Sequence, residues 1–181
     1  MVTNKIQLKM NEVTTQQTHL YASLGAITFY ESYAQFNSET NMIEYINKSF
    51  FYNQLQSDIE ANVGSYFIFW ENETPIGYAK VNYTIYPDCA PTLVGNIAEI
   101  QRIYLLKSAQ KKGIGGVAFN EIINYLITKK IDYLWLGVWK NNANAIEFYH
   151  KMNMKIIGER IFELGTQVYD DYIFGLSISQ S

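Results

Sequence analysis

The sequence has 181 residues, of which 48% are hydrophobic and 15% aromatic, and this composition fits one packed globular domain and excludes a disordered chain. Its 14 Lys and Arg residues against 17 Asp and Glu residues give a net charge of −3, so binding to a nucleic-acid backbone is not expected. No stretch reaches the roughly 18 uncharged apolar residues of a membrane span, and the N-terminus lacks the apolar run of a signal peptide.

Cysteine usage points to a reducing compartment. Cys89 is the single cysteine, so it cannot form an internal disulfide and cannot build a zinc site alone. Together with the missing membrane and signal segments, this indicates a soluble cytoplasmic protein that has no membrane partner.

The first third of the chain is predicted to be mostly helical. Val2–Met10 has the character of a short strand, and Thr14–Gln17 then resembles a capping box that opens a helix running toward Phe36. Ser38 and Glu39 restart a helix, and a third helical piece extends from Tyr52 to Ala61.

The rest of the chain alternates strands with two helices. The order of elements predicts a mixed α/β sheet with one parallel crossover. The predicted segments are a hairpin of Ser65–Trp70 and Ile76–Ile85, a strand at Ile97–Leu106, a helix at Gly113–Lys130, a strand at Tyr133–Trp139, a helix at Asn142–Met152, and a last hairpin of Lys155–Leu164 and Gln167–Ile178.

A glycine-rich turn, Gln110–Gly116, lies between a predicted strand and a predicted helix. Glycines let several backbone N–H groups point into one concavity, and the helix N-terminus adds partial positive charge, so the turn suits a pyrophosphate. It is neither a Walker A loop nor a dinucleotide fingerprint, because the residues that complete those motifs are missing. The alternative is a tight connection in which Lys111 and Lys112 are ordinary solvated charges.

Two blocks carry a resemblance to a known family. The segment from Glu99 through Gln110–Gly115 resembles motif A of the GNAT superfamily of acyl-CoA N-acyltransferases, Gln/Arg-x-x-Gly-x-Gly/Ala. Asn142–Tyr149 resembles motif B of that superfamily, Asn-x-x-Ala-x-x-Phe-Tyr, at the expected distance downstream. Two ordered blocks are far more specific than either block alone.

A closer resemblance links the chain to the PaiA-type, polyamine-acetyltransferase-like subgroup. One departure follows motif B, where Asn153 and Met154 replace the usual Gly-Phe; Asn also tolerates a left-handed helix stop and Met is apolar, so we expect the fold to survive. The matching stretches are Phe29–Tyr33, Gly77–Asn82, Glu99–Leu105, Leu136–Trp139 and Phe162–Gly165 with the later Asp171.

The resemblance implies an α/β fold: a mixed, mostly antiparallel twisted sheet with a central splayed pair of parallel strands and flanking helices, in a single domain over residues 1–181. It implies acetyl-CoA as the co-substrate and no metal. The pantetheine arm would pair with the backbone of Ile103, Tyr104 and Leu105. The remaining cofactor-binding positions would be Gln110, Lys111, Lys112, Gly113, Ile114, Gly115, Gly116 and Asn142.

Glu99 and Tyr149 are the predicted catalytic residues. An alkylammonium must lose a proton before it attacks, which costs roughly 4–5 kcal/mol at pH 7, and Glu99 stands where relatives often carry the base. Tyr149 stands where the superfamily usually places the acid that protonates the departing thiolate. The alternatives are that Glu99 is a salt-bridge residue, that Tyr149 belongs to a buried helix stripe, and that Asn142 is only an N-cap.

The predicted function is acetyl transfer from acetyl-CoA to a primary amine of a small molecule, with a polyamine as the acceptor that the subgroup implies. Tyr30, Glu31 and Tyr33 are the predicted substrate-binding residues, because the first helix borders the acceptor site in relatives; amphipathic packing is the alternative. Two other functions stay open, a CoA-binding regulatory or interaction module without turnover and a peptide or protein N-acetyltransferase. The sequence also leaves a homodimer open.

Overall fold

The computed structural model describes residues 7–90 and 93–178. The helices are α1 (Thr18–Tyr33), α2 (Glu39–Ser49), α3 (Tyr52–Glu60), α4 (Ile114–Thr128) and α5 (Ala143–Lys151). The strands are β1 (Leu8–Glu12), β2 (Ser65–Glu71), β3 (Thr74–Tyr83), β4 (Ile97–Leu105), β5 (Tyr133–Trp139), β6 (Lys155–Leu164) and β7 (Gln167–Ser177). Short 3-10 turns lie at Thr15–Gln17, Ala34–Phe36 and Lys107–Ala109.

These elements confirm most of the predicted segments, with shifts of a few residues at their ends. β1 begins at Leu8, and residues 2–6 of the predicted first strand lie outside the described residues. β3 ends at Tyr83 and not at Ile85, because Thr84 adopts a left-handed φ of 59° and donates its N–H to the Ile97 carbonyl.

The seven strands form one sheet in the order β1-β2-β3-β4-β5-β7-β6. β1 pairs antiparallel with β2, and β7 pairs antiparallel with both β5 and β6. β4 and β5 are the parallel pair, in a register that joins Ile97 to Tyr133 and Glu99 to Trp135. Both strands extend beyond this short register. The strand pairings confirm the predicted mixed, mostly antiparallel sheet with a central parallel pair.

The described residues fall into two compact units. Unit 1 consists of residues 7–80 and 102–122, and unit 2 of residues 81–90, 93–101 and 123–178. Within the described part of the chain, no helix combines the length and the apolar character that crossing a bilayer would require.

The core of unit 1 is built largely from aromatic rings. Tyr21 on α1 is fully buried and meets Tyr66 and Tyr78 edge to face, with ring centroids 5.4 and 5.0 Å apart. Such aromatic pairs contribute about 0.5–1.5 kcal/mol each beyond the area that they bury. Phe50 adds a further edge-to-face contact with Tyr78. This packing fixes α1 against β2 and β3.

Side chains of unit 2 pack on both faces of β5. Successive residues of a strand point to opposite sides, so each face carries a different set of contacts. On one face, Trp135 clusters with Ile97 of β4 and Ile173 of β7. On the other face, Phe174, the cross-strand partner of Leu136, contacts Tyr149 of α5. β5 therefore separates two sets of side chains that belong to different layers.

The end of α5 has the left-handed residue that the sequence predicts. Asn153 has a φ of 61°, and its N–H donates to the His150 carbonyl. Met154, the residue after it, is buried, and its N–H donates to the Tyr149 carbonyl. Asn153 and Met154 thus stop the helix as Gly-Phe would.

Asn153→Ala is expected to lower the free energy of unfolding by about 1 kcal/mol, because an ordinary side chain in the left-handed conformation crowds the following carbonyl oxygen. Asn153→Gly removes that crowding and should not lower stability. Urea unfolding of the three proteins measures the difference. An equal loss in both variants would contradict a conformational origin.

Candidate active site

The predicted phosphate-binding turn connects β4 to α4 within unit 1. Lys111 has a φ of 61° and Gly113 a φ of 79°, so the chain reverses through two left-handed residues before α4 begins at Ile114. The side chain of Ile114 is buried, whereas residues 110–113 are exposed. Ile114 therefore anchors the helix start while the backbone before it stays accessible.

This donor set fits a diphosphate. The first N–H groups of a helix, which here include those of Ile114, Gly115 and Gly116, have no acceptor four residues earlier in the helix. A helix N-terminus also carries partial positive charge, and α4 has 15 residues. Lys111 and Lys112 are exposed beside these amides. The turn therefore presents accessible amides and positive charge of the kind that a diphosphate requires.

Two side chains hold the turn in place. The Gln110 amide nitrogen Nε2 donates to the Leu105 carbonyl at 2.9 Å, which ties the turn back to the end of β4. Glu31 of α1 accepts a hydrogen bond from the Lys107 N–H, also at 2.9 Å. Sequence reasoning placed Gln110 at the cofactor and Glu31 at the acceptor, and it missed both of these backbone contacts.

The structure brings two predicted site residues together, one from each predicted ligand site. The hydroxyl oxygens of Tyr33 and Tyr104 lie 3.2 Å apart. Burial raises the pKa of Tyr104 well above its ordinary value, so this phenol is neutral at pH 7. The Tyr104 ring also stacks on Tyr78, so its side chain belongs to the core of unit 1. Tyr30, by contrast, is 63% exposed.

Glu99 lies in a buried polar cluster of unit 2. Its side chain is 7% exposed, and it accepts hydrogen bonds from Asn82 Nδ2 at 2.8 Å and from Arg160 Nη1 at 3.5 Å. The salt-bridge arrangement that the sequence left open is therefore present. Because each carboxylate oxygen accepts a different donor, the orientation of the Glu99 carboxylate is fixed.

Arg160 also reaches a second carboxylate. Its Nε donates to Asp171 Oδ2 at 3.3 Å, and its guanidinium carbon lies 5.7 Å from the centre of the Trp135 ring. Burial raises the pKa of Asp171, and the neighbouring Arg160 only partly offsets that effect. Two buried carboxylates thus share one guanidinium.

Tyr149 occupies the other side of unit 2. It is 8% exposed and contacts the rings of Phe148 and Phe174, with centroids 5.1 and 5.8 Å away. At the other end of α5, the Asn142 side chain accepts a hydrogen bond from the Ala145 N–H at 3.1 Å. The N-cap role predicted for Asn142 is confirmed, and Tyr149 has the burial expected of a helix stripe.

The strand register places Glu99 and Tyr149 on opposite faces of the sheet in unit 2. Residues paired across neighbouring strands project to the same face, so Glu99 shares a face with its partner Trp135. Phe174, which contacts Tyr149, pairs with Leu136, the next residue along β5, and therefore projects to the opposite face. The two predicted catalytic residues thus stand on the two sides of one strand, next to the end of the parallel register.

Sequence reasoning missed Arg160 entirely. In the folded β6, Arg160 and Phe162 are half-buried between exposed neighbours, a pattern that the structure shows and the sequence alone does not. An arginine on the inward face of a strand requires an acidic partner. Within residues 7–90 and 93–178, no three His, Cys, Asp and Glu side chains group as metal ligands.

The comparison with protein families decides the assignment. The model of the acetyltransferase (GNAT) family matches residues 18–154, which is more than half of the chain and includes both motif blocks. The chain belongs to the GNAT acetyltransferase family. As a GNAT protein with this fold, it is an acetyl-CoA-dependent N-acetyltransferase.

Individual proteins resemble this GNAT enzyme over nearly its whole length. It is 29% identical, over 92% of its own chain and 95% of the relative, to a protein described as an uncharacterised N-acetyltransferase in the pepI 3′ region of Lactobacillus delbrueckii subsp. lactis. Its fold is similar to that of the PaiA N-acetyltransferase from Thermoplasma acidophilum in complex with coenzyme A, with a TM-score of 0.70, 18% identity, and coverage of 94% of this chain and 99% of that one.

A third similar protein is yncA, a putative acetyltransferase from Salmonella typhimurium whose structure contains acetyl-CoA. The TM-score is 0.66 at 13% identity, with coverage of 97% of this chain and 96% of that one. At these identities the two solved structures support the GNAT fold and do not define the acceptor.

The raised pKa of Asp171 predicts a pH-dependent contribution to stability. An acid with a raised folded-state pKa binds protons more tightly when folded, so its contribution falls as pH rises above the unfolded value of about 3.8. The difference in free energy of unfolding between wild type and Asp171→Asn should therefore decrease from pH 3.5 upward and then level off. Urea titrations at a series of pH values measure it, and a pH-independent difference would contradict the burial effect.

Proposed function

We propose that this GNAT enzyme transfers the acetyl group of acetyl-CoA to the primary amine of a small molecule, by direct attack of the amine on the thioester. The observation that carries the proposal is the placement of Glu99 and Tyr149 on opposite faces of unit 2. Amine attack releases one proton from the nucleophile and consumes one at the leaving sulfur, so two proton-transfer groups on opposite sides of the reacting carbon suit this chemistry.

Unit 1 is proposed to bind the co-substrate. The backbone of Ile103, Tyr104 and Leu105 would pair with the pantetheine arm, and the amides of the turn from Gln110 to Gly116 would hold the pyrophosphate. This supports binding through main-chain groups, since the Tyr104 side chain is engaged with Tyr33 and Tyr78. Lys111 and Lys112 add positive charge at the turn, and Asn142 of unit 2 is proposed to contact the co-substrate while it caps α5.

Glu99 is proposed as the base, either directly or through one water molecule. An ammonium on the Glu99 face first gives up one proton to Glu99, which passes it to solvent, and the neutral nitrogen then attacks the thioester carbon. As the carbon–sulfur bond breaks, the nitrogen loses its second proton to Glu99, and Tyr149 on the other face donates a proton to the departing sulfur. Solvent then reprotonates Tyr149 and takes the proton from Glu99. A thiol pKa near 8.5 makes the thiolate a moderate leaving group, so a positioned acid accelerates this step.

Residues 1–181 are proposed to act as one acetyltransferase domain located in the cytoplasm. The proposed acceptor is a polyamine, as the resemblance to the PaiA-type subgroup implies. The 92% coverage by the Lactobacillus relative supports one domain, and the free Cys89 supports a reducing compartment. The acidic residues of the chain, which outnumber the basic ones, favour a cationic acceptor. Tyr30, Glu31 and Tyr33 on α1 are proposed to border the acceptor.

Tyr149→Phe tests the acid. We expect kcat to fall by about 10- to 1000-fold while the Kd of acetyl-CoA changes little, because only proton donation is lost. Stopped assays of thiol release give kcat, and calorimetry gives the Kd. Tyr86→Phe is the matched control, since that hydroxyl bonds a loop carbonyl, that of Gly95. An unchanged kcat in Tyr149→Phe would remove Tyr149 from the mechanism.

The acceptor class is tested with a panel of polyamines, other alkylamines, and peptides with free N-termini. We expect acetyl-CoA to bind and thiol release to depend on a small amine, with a mono-acetylated product in mass spectrometry. Binding without acceptor-dependent release would support a CoA-binding module. Release that depends on peptides alone would support a peptide N-acetyltransferase.

A further inference from the structure

Arg160 lies across the surface of β5 at the one glycine in the middle of that strand. A Cβ atom built on Gly137 would lie within 2.4 Å of Arg160 Nη2 and 2.7 Å of Arg160 Cζ. The guanidinium therefore occupies the space where a side chain of residue 137 would stand. Gly137 is needed because the arginine passes directly over its Cα.

This path lets one side chain from β6 reach a carboxylate on β4. Arg160 pairs with Asp171 across the β6–β7 register, passes Gly137 and Trp135 on β5, and ends at Glu99. The contacts therefore link four strands of unit 2 in one chain of polar groups, which starts at Asp171 and ends where Asn82 bonds the second oxygen of Glu99.

We infer that Arg160 is a positioning residue, which holds the Glu99 carboxylate in its reactive orientation by bridging it to Asp171. The inference rests on the proposed function, because Glu99 is the proposed base. Arg160 is 35% exposed and acts through Glu99, whereas Glu99 is the group proposed to meet the substrate. Asp171 orients the arginine in turn, and Gly137 provides its path.

The physical reason is that a carboxylate can act as a general base only when one of its oxygens points toward the proton that it removes. Asn82 bonds only the Oε2 atom of Glu99, and with that bond alone the carboxylate could still rotate about it. The bond from Arg160 to Oε1 is the second contact, and it defines the plane of the carboxylate. A guanidinium is planar and presents several donors in fixed directions, which a lysine ammonium does not. A lysine at this position would keep the charge and lose the bridge.

The charged groups around this cluster come from each neighbouring strand. β4 contributes Glu99, β6 contributes Arg160, and β7 contributes Asp171 with Asp170 beside it. Lys140 pairs with Glu159 at 2.7 Å in a separate ion pair, in which the Glu159 side chain is 58% exposed. That ion pair involves the residue next to Arg160 on β6, so it provides a matched control.

Two variants perturb the bridge in different ways. Arg160→Lys keeps the positive charge but not the planar fork, and Gly137→Ala keeps the arginine but displaces its guanidinium. Glu159→Gln breaks the exposed ion pair and serves as the control. Circular dichroism and thermal unfolding confirm that each variant is folded. The Kd of acetyl-CoA, measured by calorimetry, should be the same in all four proteins.

We expect kcat to fall at least 10-fold in Arg160→Lys and in Gly137→Ala, with the KM for the amine changed much less, because a misplaced catalytic group slows the chemical step. Glu159→Gln should match wild type.

A second readout does not need turnover. The ¹³C carboxyl signal of Glu99, assigned by its loss in Glu99→Gln, is recorded by NMR at one fixed pH. Its chemical shift should change in Arg160→Lys and Gly137→Ala, which lose the hydrogen bond from the guanidinium to Oε1, and stay unchanged in Glu159→Gln. Chemical shifts that coincide in all proteins would overturn the role of Arg160, as would an unchanged kcat.

The two readouts separate the two hypotheses. A wild-type protein that releases no coenzyme A with any amine would overturn the proposed function, and the NMR comparison would still decide whether Arg160 controls Glu99. Wild-type turnover with no effect of either variant would overturn the positioning role alone.

Discussion

The short parallel register between β4 and β5 is the constraint on which the candidate site depends. It joins Ile97–Glu99 to Tyr133–Trp135, and it fixes Glu99 on the same face as Trp135. Because side chains alternate along β5, the neighbouring register position carries Phe174 and the tyrosine of α5 on the other face. Moving this register by one residue would exchange the faces of β5, so the two residues proposed for proton transfer would no longer lie on opposite sides of it.

The polar residues buried near this register cost folding free energy. Two carboxylates are buried with one guanidinium, and the pKa of Asp171 is raised because burial outweighs its ion pair. Gly137, in the centre of β5, gives up side-chain packing so that Arg160 can pass. Hydrophobic residues of similar volume would satisfy the fold at least as well, so the presence of these buried charges supports the proposed role of Arg160 in positioning Glu99.

Local patterns explain why much of the fold could be predicted. The strand at Tyr133–Trp139, the helix stop at Asn153 and the cap at Asn142 depend on neighbouring residues, and the structure confirms each of them. The resemblance to motifs A and B is what pointed to the glycine turn, Glu99 and Tyr149 as candidate site residues. Arg160 was not among them, because an irregularity between Ile156 and Gly158 shifts the β6–β7 register, and only the folded sheet shows that Arg160 faces Asp171.

A crystal structure of this GNAT enzyme with coenzyme A tests the central claim most directly. The account predicts that the amides of residues 111–116 contact the diphosphate and that the sulfur lies within hydrogen-bond reach of the Tyr149 hydroxyl, on the side of β5 away from Glu99. A sulfur on the Glu99 side, or a diphosphate bound away from the glycine turn, would contradict it.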